Sequence, residues 1–208
     1  MQTDLLLSIT EIVATLAFGV SGILLAARYR LDVVGVTVVA LLSAFGGGTL
    51  RDILLDQRPF FWMSHSEWVL FFLLVSPLSV YFLKKQHQST LSKIIEFPDT
   101  LGLALFTLLG IQAALNLHTN WIVAVLMGVV TSSFGGVLAE ICCQKIPSIF
   151  NNHRPYATIS LAGGLLFLGS LEWVGLPRSI SFGIAFVAMV VLRLLSHYQG
   201  WHLPKWQD

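Results

Sequence analysis

Apolar residues fill this chain in long runs, and polar residues appear mainly as short punctuation between them. Seven runs are long enough, or nearly so, to cross the ~30 Å hydrocarbon core of a bilayer as helices. They fall at about 5–26, 33–55, 67–83, 99–117, 121–143, 156–172 and 179–197, with boundaries set to ~2–4 residues. The connections hold no linker and no soluble domain. Residues 1–208 therefore read as one all-α integral membrane domain of seven transmembrane helices. Composition agrees: the chain is 55% hydrophobic and 11% charged, with a mean hydropathy of +0.78, whereas a soluble domain carries roughly 25% charged residues. Gln2 and Asp4 stand where a removable signal would be basic, so the first run is expected to stay as a span.

The second run contains an interruption, Ser43-Ala44-Phe45-Gly46-Gly47-Gly48-Thr49-Leu50-Arg51-Asp52. Glycine costs about 1 kcal/mol in a helix relative to alanine, and lipid offers no partner for a stray backbone group. A glycine triple inside a span marks a bend or the close approach of another backbone. Tight packing of small residues against a neighbouring helix is the plain structural reading. A bent helix beside a solute path is the functional one.

The register of the motif repeats. Glu11 and Asp99, Gly22 and Gly110, Gly47 and Gly135, Gly48 and Gly136, Asp52 and Glu140, and Pro59 and Pro147 are each 88 positions apart. Ser133-Phe134-Gly135-Gly136-Val137-Leu138-Ala139-Glu140 is thus a second version of the first motif. Repeat one spans about 5–83, repeat two about 99–172, and the helix at about 179–197 is an addition. Three spans per repeat is an odd number, so the second copy enters the membrane upside down, an arrangement common among transport proteins.

Basic residues orient the chain. Arg28, Arg30, Lys84, Lys85, Lys93, Lys145, Arg154 and Lys205 fall on one side, and only Arg58 and Arg178 on the other. By the positive-inside rule the N-terminus lies outside the inner (plasma) membrane and the C-terminus in the cytoplasm. Trp62, Trp68, Trp121 and Trp173 then gather at the outer interface, with Trp201 and Trp206 at the inner one, as interfacial belt anchors.

Charges inside the spans point to a solute. Glu11, Arg51, Asp52, Glu140 and Arg193 are three acids and two bases where ionisable residues normally pair or face a water-filled cavity. Depth in the spans predicts the pairs Glu11–Arg51 and Glu140–Arg193. The hydroxyls of Ser43, Thr49, Thr131, Ser132 and Ser133 surround the two glycine motifs, and can line a pore or satisfy helix carbonyls in a dry bundle. The slight acidic excess favours a cation over an anion.

Other chemistries lack their signatures. The glycine triple has no Gly-Lys-Ser/Thr completion, so it is no phosphate loop. His65, His87, His118, His153, His197 and His202 show no zinc-ligand spacing, and Cys142 and Cys143 read as small apolar residues. A net charge of +1 without a Lys/Arg cluster gives nucleic acid no purchase. No enzymatic constellation, metal site or cofactor is expected.

Phe18-Gly19-Val20-Ser21-Gly22, Arg28-Tyr29-Arg30-Leu31-Asp32, Gly46-Gly47-Gly48-Thr49-Leu50-Arg51-Asp52 and Arg58-Pro59, followed by Phe134-Gly135-Gly136-Val137-Leu138, Tyr156-Ala157-Thr158 and Trp201-His202-Leu203-Pro204, run nearly the length of the chain. Together they resemble the prokaryotic trimeric intracellular cation (TRIC) channel family, which includes bacterial proteins described as glycine transporters. The resemblance implies a homotrimer in the lipid bilayer, a potassium- and sodium-permeable pore within each protomer, and second and fifth spans kinked around it. By motif the pathway positions are Gly46, Gly47, Gly48, Arg51, Asp52, Gly135, Gly136 and Glu140, with Glu11, Asp99 and Arg193 as supporting charges. Family members commonly carry Arg-Asp in the second repeat too, where this chain has Ala139-Glu140. A passive cation channel is the first reading. A secondary carrier of a small amino acid such as glycine is the second, and an accessory bundle without flux the third.

Overall fold

Lipid leaves internal helical bonding as the way to satisfy a spanning backbone, and each apolar run folds accordingly. The computed structural model describes residues 2–84, 86–151 and 155–201. Lys85, His153, Arg154, His202, Lys205 and Trp206, used above in the charge, belt and histidine readings, lie outside the described residues. The helices are α1 (Gln2–Arg28), α2 (Val33–Leu54), the short α3 (Phe61–Ser64), α4 (Ser66–Leu83), α5 (Gln88–Asn116), α6 (Trp121–Cys142), the short α7 (Ser148–Asn151), α8 (Ala157–Leu168) and α9 (Arg178–Gln199). A π-helical turn, Gly169–Trp173, extends α8. Among the described residues, six helices are long and apolar enough to cross a membrane, and Ala157–Trp173 forms a shorter apolar one.

One boundary moves. The run expected to begin at 99 belongs to a 29-residue helix that starts at Gln88. Ser92, Lys93, Glu96 and Pro98 look like loop residues in the sequence, yet Ser92 Oγ donates to Gln88 O (2.7 Å) and Leu91 is 1% exposed. At about 1.5 Å per residue α5 is longer than the hydrocarbon core is thick, so this polar stub projects beyond it.

The 88-residue register governs the fold in detail. Asp32 caps α2 by accepting from Gly35 N (2.7 Å), and Asn120, 88 positions later, caps α6 by accepting from Ile122 N (3.0 Å). The non-glycine residues with positive φ are Arg30 (54°) and His118 (55°), then Asp56 (50°) and Gln144 (55°), two pairs in the same register. α1 and α5 both pack on their following helix, α2 on α4 and α6 on α8, while α1–α5 and α2–α6 contacts join the halves. Phe18 and Phe106, equivalent positions, stack on each other at 5.3 Å and 22° where the halves meet. Even the exceptions keep register. A Cβ on Gly19 would strike the Phe72 ring, and at the equivalent positions Thr107 and Ser160 share a 2.7 Å hydroxyl hydrogen bond instead.

The glycines explain themselves at the α2–α6 crossing. A Cβ on Gly47 would lie 2.0 Å from Thr131 O, and one on Gly135 2.6 Å from Ser43 O. Ser43 and Thr131 are themselves equivalent, so the two contacts are one contact repeated across a pseudo-two-fold axis. Helical structure runs unbroken through both motifs. The glycines therefore serve backbone approach within helices that stay continuous. Gly48 and Gly136, one residue on, meet nothing within 4 Å and face open space. α9 has no counterpart and packs on α8 and α5.

Gly47→Ala is expected to destabilise the fold by about 1–3 kcal/mol through overpacking. Gly48→Ala, filling open space and raising helix propensity, should be neutral or slightly stabilising. Thermal unfolding of the two purified variants in detergent checks this, and equal melting temperatures would contradict the crossing geometry.

Candidate functional site

Because the repeats are inverted, equivalent positions open toward opposite faces. At the face where α9 ends, a cavity of about 110 Å³ is lined by Ser43, Ser133, Gly136, Ala139, Asp99 and Arg193 among others, with Arg28, Glu96, Glu140 and Lys145 supplying further charge. At the face where α1 begins, the equivalent space between Glu11, Gly48, Thr49, Asp52, Phe61 and Trp62 shrinks to about 10 Å³. That is the volume of roughly one water probe. The protein is open on one side of its glycine crossing and shut on the other.

The shut side is held by charge. Arg51 Nη2 donates to Glu11 Oε1 and Arg51 Nε to Asp52 Oδ1, both at 2.8 Å. The arginine side chain is 7% exposed and its partners 18% and 5%. The Glu11–Arg51 pair expected from depth is present. Arg51 and Asp52, although neighbours in sequence, also reach each other, because the long guanidinium arm turns back along the helix. Trp62 covers this group and packs on α2 instead of standing free in the interface, whereas Trp173 and Trp121 are exposed.

The open side distributes the same task differently. Glu140 does not pair with Arg193, contrary to the expectation from depth. It accepts from Lys145 Nζ (2.7 Å), from Ser148 Oγ (2.9 Å) and from the Ser148 backbone amide. Arg193 lies instead against Asp99, Nη2 to Oδ2 at 3.4 Å, with its guanidinium 4.6 Å from the centre of the Tyr156 ring. Tyr156 Oη donates within 3.4 Å of both Asp99 Oδ1 and Ser132 O. The tyrosine was visible in the sequence only as part of a motif, since a phenol at a span start carries no chemical signal of its own. Ser133 Oγ and Arg193 Nε are buried without a partner among the described residues.

The remaining site residues divide between cavity and packing. Ser43 and Gly136 line the open cavity, and Gly46 faces an apolar lateral groove beside Leu138. Thr131 and Ser132, expected beside the path, line neither space. Thr131 Oγ1 donates to Met127 O (2.6 Å), while Ser132 Oγ meets Val129 O and Ser160 Oγ. Thr49 Oγ1 likewise donates to Phe45 O (2.8 Å), although Thr49 borders the small space. Helix hydroxyls find the preceding turn's carbonyl whenever no outside partner competes.

A family model described as glycine transporter matches residues 8–85 and 96–171, two segments that begin 88 positions apart. The chain belongs to that family. Among its relatives, the UPF0126 inner membrane protein YadS of Escherichia coli K12 is 32% identical over 193 residues, covering 93% of this chain and 91% of that one. A UPF0126 membrane protein of Vibrio cholerae is 30% identical over 198 residues, 95% and 81% of the two chains. Solved structures share the fold. The trimeric intracellular cation channel orthologue from Rhodobacter sphaeroides superposes with a TM-score of 0.84 at 29% identity, covering 94% of this chain and 98% of that one. A prokaryotic TRIC channel crystallised in 0.5 M KCl gives 0.85 at 26%, over 95% and 98%. The glycine transporter family and the TRIC channels thus share this fold of seven spans in two inverted three-helix repeats plus one.

Removing the guanidinium of Arg51 leaves the buried Asp52 carboxylate and the partly buried Glu11 carboxylate without their shared partner. Arg51→Gln should cost about 3–5 kcal/mol, whereas Arg178→Gln, which loses one exposed contact with Asn116 at 3.3 Å, should stay within about 0.5 kcal/mol. Unfolding of both variants side by side is the measurement, and indistinguishable stabilities would contradict the assigned role of the Arg51 cluster.

Proposed function

We propose that the protein is a monovalent cation channel, permeable to potassium and sodium, whose path runs within the protomer past the Gly47–Gly135 crossing. The observation that carries the reading is the pair of symmetry-related spaces flanking that crossing on the sides of opposite faces, one a cavity of about 110 Å³ and the other narrowed to about 10 Å³. Acids border both: Glu11 and Asp52 at one end, Asp99, Glu96 and Glu140 at the other. The solved relatives named as cation channels lend the same support. In this conformation conduction is interrupted at the Arg51 cluster, where the gap is too small for a hydrated ion. Opening would part Arg51 from Glu11 and swing Trp62 aside.

The assembly we propose is a homotrimer in the cell's inner membrane, N-terminus outside and C-terminus cytoplasmic. The trimeric Rhodobacter sphaeroides relative, the inner-membrane YadS, and the placement of Arg28, Arg30, Lys84, Lys93 and Lys145 at the face where α9 ends support it. That face is then cytoplasmic.

A carrier for a small amino acid such as glycine is the second reading. Access from one face only, together with the description of the matching family, favours it, since alternating access uses the same inverted architecture. Planar-bilayer recording on the reconstituted protein separates the two. Discrete single-channel steps in potassium chloride, with no amino acid present, are expected. Electrical silence combined with saturable glycine uptake into proteoliposomes would replace the channel with the carrier.

A further inference from the structure

We infer that Arg193 is the stand-in for the arginine that repeat two lacks, a tethered cation that occupies Asp99 and with which a potassium ion entering the cavity must compete. The register defines what is missing. Asp99 is equivalent to Glu11, and the position equivalent to Arg51 is Ala139. In repeat one the guanidinium on α2 reaches across to the acid on α1 at 2.8 Å. In repeat two α6 offers only a methyl group at that point, so Asp99, which accepts from Tyr156 Oη at 3.4 Å, has no cationic partner among the described residues of its own repeat. A guanidinium reaches it all the same, from α9, the helix outside the repeat. Ala139 borders the same cavity from the packed core of α1, α2 and α6, with no exposed surface of its own, so an arginine there would reach Asp99 only by passing its neighbours into that cavity.

The substitute binds less firmly than the original. Its contact with Asp99 is 3.4 Å, where Arg51 meets Glu11 at 2.8 Å; its guanidinium also lies 4.6 Å from the centre of the Tyr156 ring, and its Nε has no partner among the described residues. Charge-assisted hydrogen bonds of full strength run to about 2.7–2.9 Å. Asp99 is therefore held, beside the larger of the two cavities, by a cation that a mobile one can replace. Arg193 accordingly sets how strongly the cavity mouth concentrates cations, through a field that salt screens over about 10 Å at 0.1 M and about 3 Å at 1 M.

The experiment compares wild type, Arg193→Gln, Arg193→Lys and the double variant Ala139→Arg/Arg193→Gln, and it rests on the channel reading only for its electrical arm. At about 0.01 M potassium chloride, where screening is weakest, Arg193→Gln should raise current entering from the cavity side about twofold or more and so introduce rectification. The difference should vanish near 1 M, and Arg193→Lys should behave as wild type. Ala139→Arg should return the double variant to wild-type rectification, which a merely structural role for Arg193 does not foresee. Wild-type rectification in Arg193→Gln overturns the inference, as does a double variant that assembles normally yet rectifies like Arg193→Gln. If Arg193→Gln does not fold, Asp99→Asn leaves the guanidinium uncompensated and should lower the same low-salt current; unchanged current overturns the inference. The second arm needs no flux. Potassium should raise the melting temperature of detergent-purified Arg193→Gln more than that of wild type, and an equal or smaller rise overturns the inference even if wild type carries no current and the channel reading itself has failed.

Discussion

Everything in this fold is arranged around one close approach, the crossing of α2 and α6 at Gly47 and Gly135. The carbonyls of Thr131 and Ser43 sit where Cβ atoms would otherwise be. In a bilayer, where lipid tails are as apolar as leucine, helices associate through packing and hydrogen bonding, and small residues let backbones come near. Bringing the two motifs together at this point places Gly48 and Gly136 on opposite sides, each facing open space. A single steric constraint thereby produces two half-paths.

The charges follow the same symmetry and then depart from it. Repeat one satisfies two acids with one guanidinium, Arg51, which bonds Glu11 and Asp52 together. Repeat two splits that task between Lys145 on Glu140 and Arg193 on Asp99. An isolated charge is far more costly in such surroundings than a paired one, so loss of the arginine at position 139 calls for compensation from elsewhere in the bundle. The helix added outside the repeat is placed to provide it.

Much of this was legible in the residues, and what was not has physical causes. Span positions follow from hydropathy because a membrane interior makes hydropathy decisive, and the inverted repeat follows from glycine, acid and proline positions kept in register. The α5 stub escaped notice because Ser92, Lys93 and Pro98 resemble a connection until Leu91 is seen buried. The direction of Thr131 and Ser132 escaped it because a helix hydroxyl has its own backbone to bond, a choice local sequence does not reveal. The partner of Arg193 differs from the expectation for a different reason. α9 stands outside the repeat, so no equivalent pair existed to consult, and depth alone could not separate Glu140 from Asp99.

The inequality of the two ends has a residue-level origin. Phe45, at the shut side, is equivalent to Ser133, at the open one. Phe45 is 9% exposed and meets the Phe72 ring edge-on at 5.9 Å, so its ring fills space beside Gly48 and Thr49. Ser133 fills almost none and leaves a buried hydroxyl without a partner among the described residues. A buried, unmatched hydroxyl costs about 1–3 kcal/mol, a cost that water or a passing cation in the cavity would remove. An aromatic ring at position 45 where the second repeat has a hydroxyl thus adds to the Arg51 cluster and Trp62 in narrowing one half-path relative to the other.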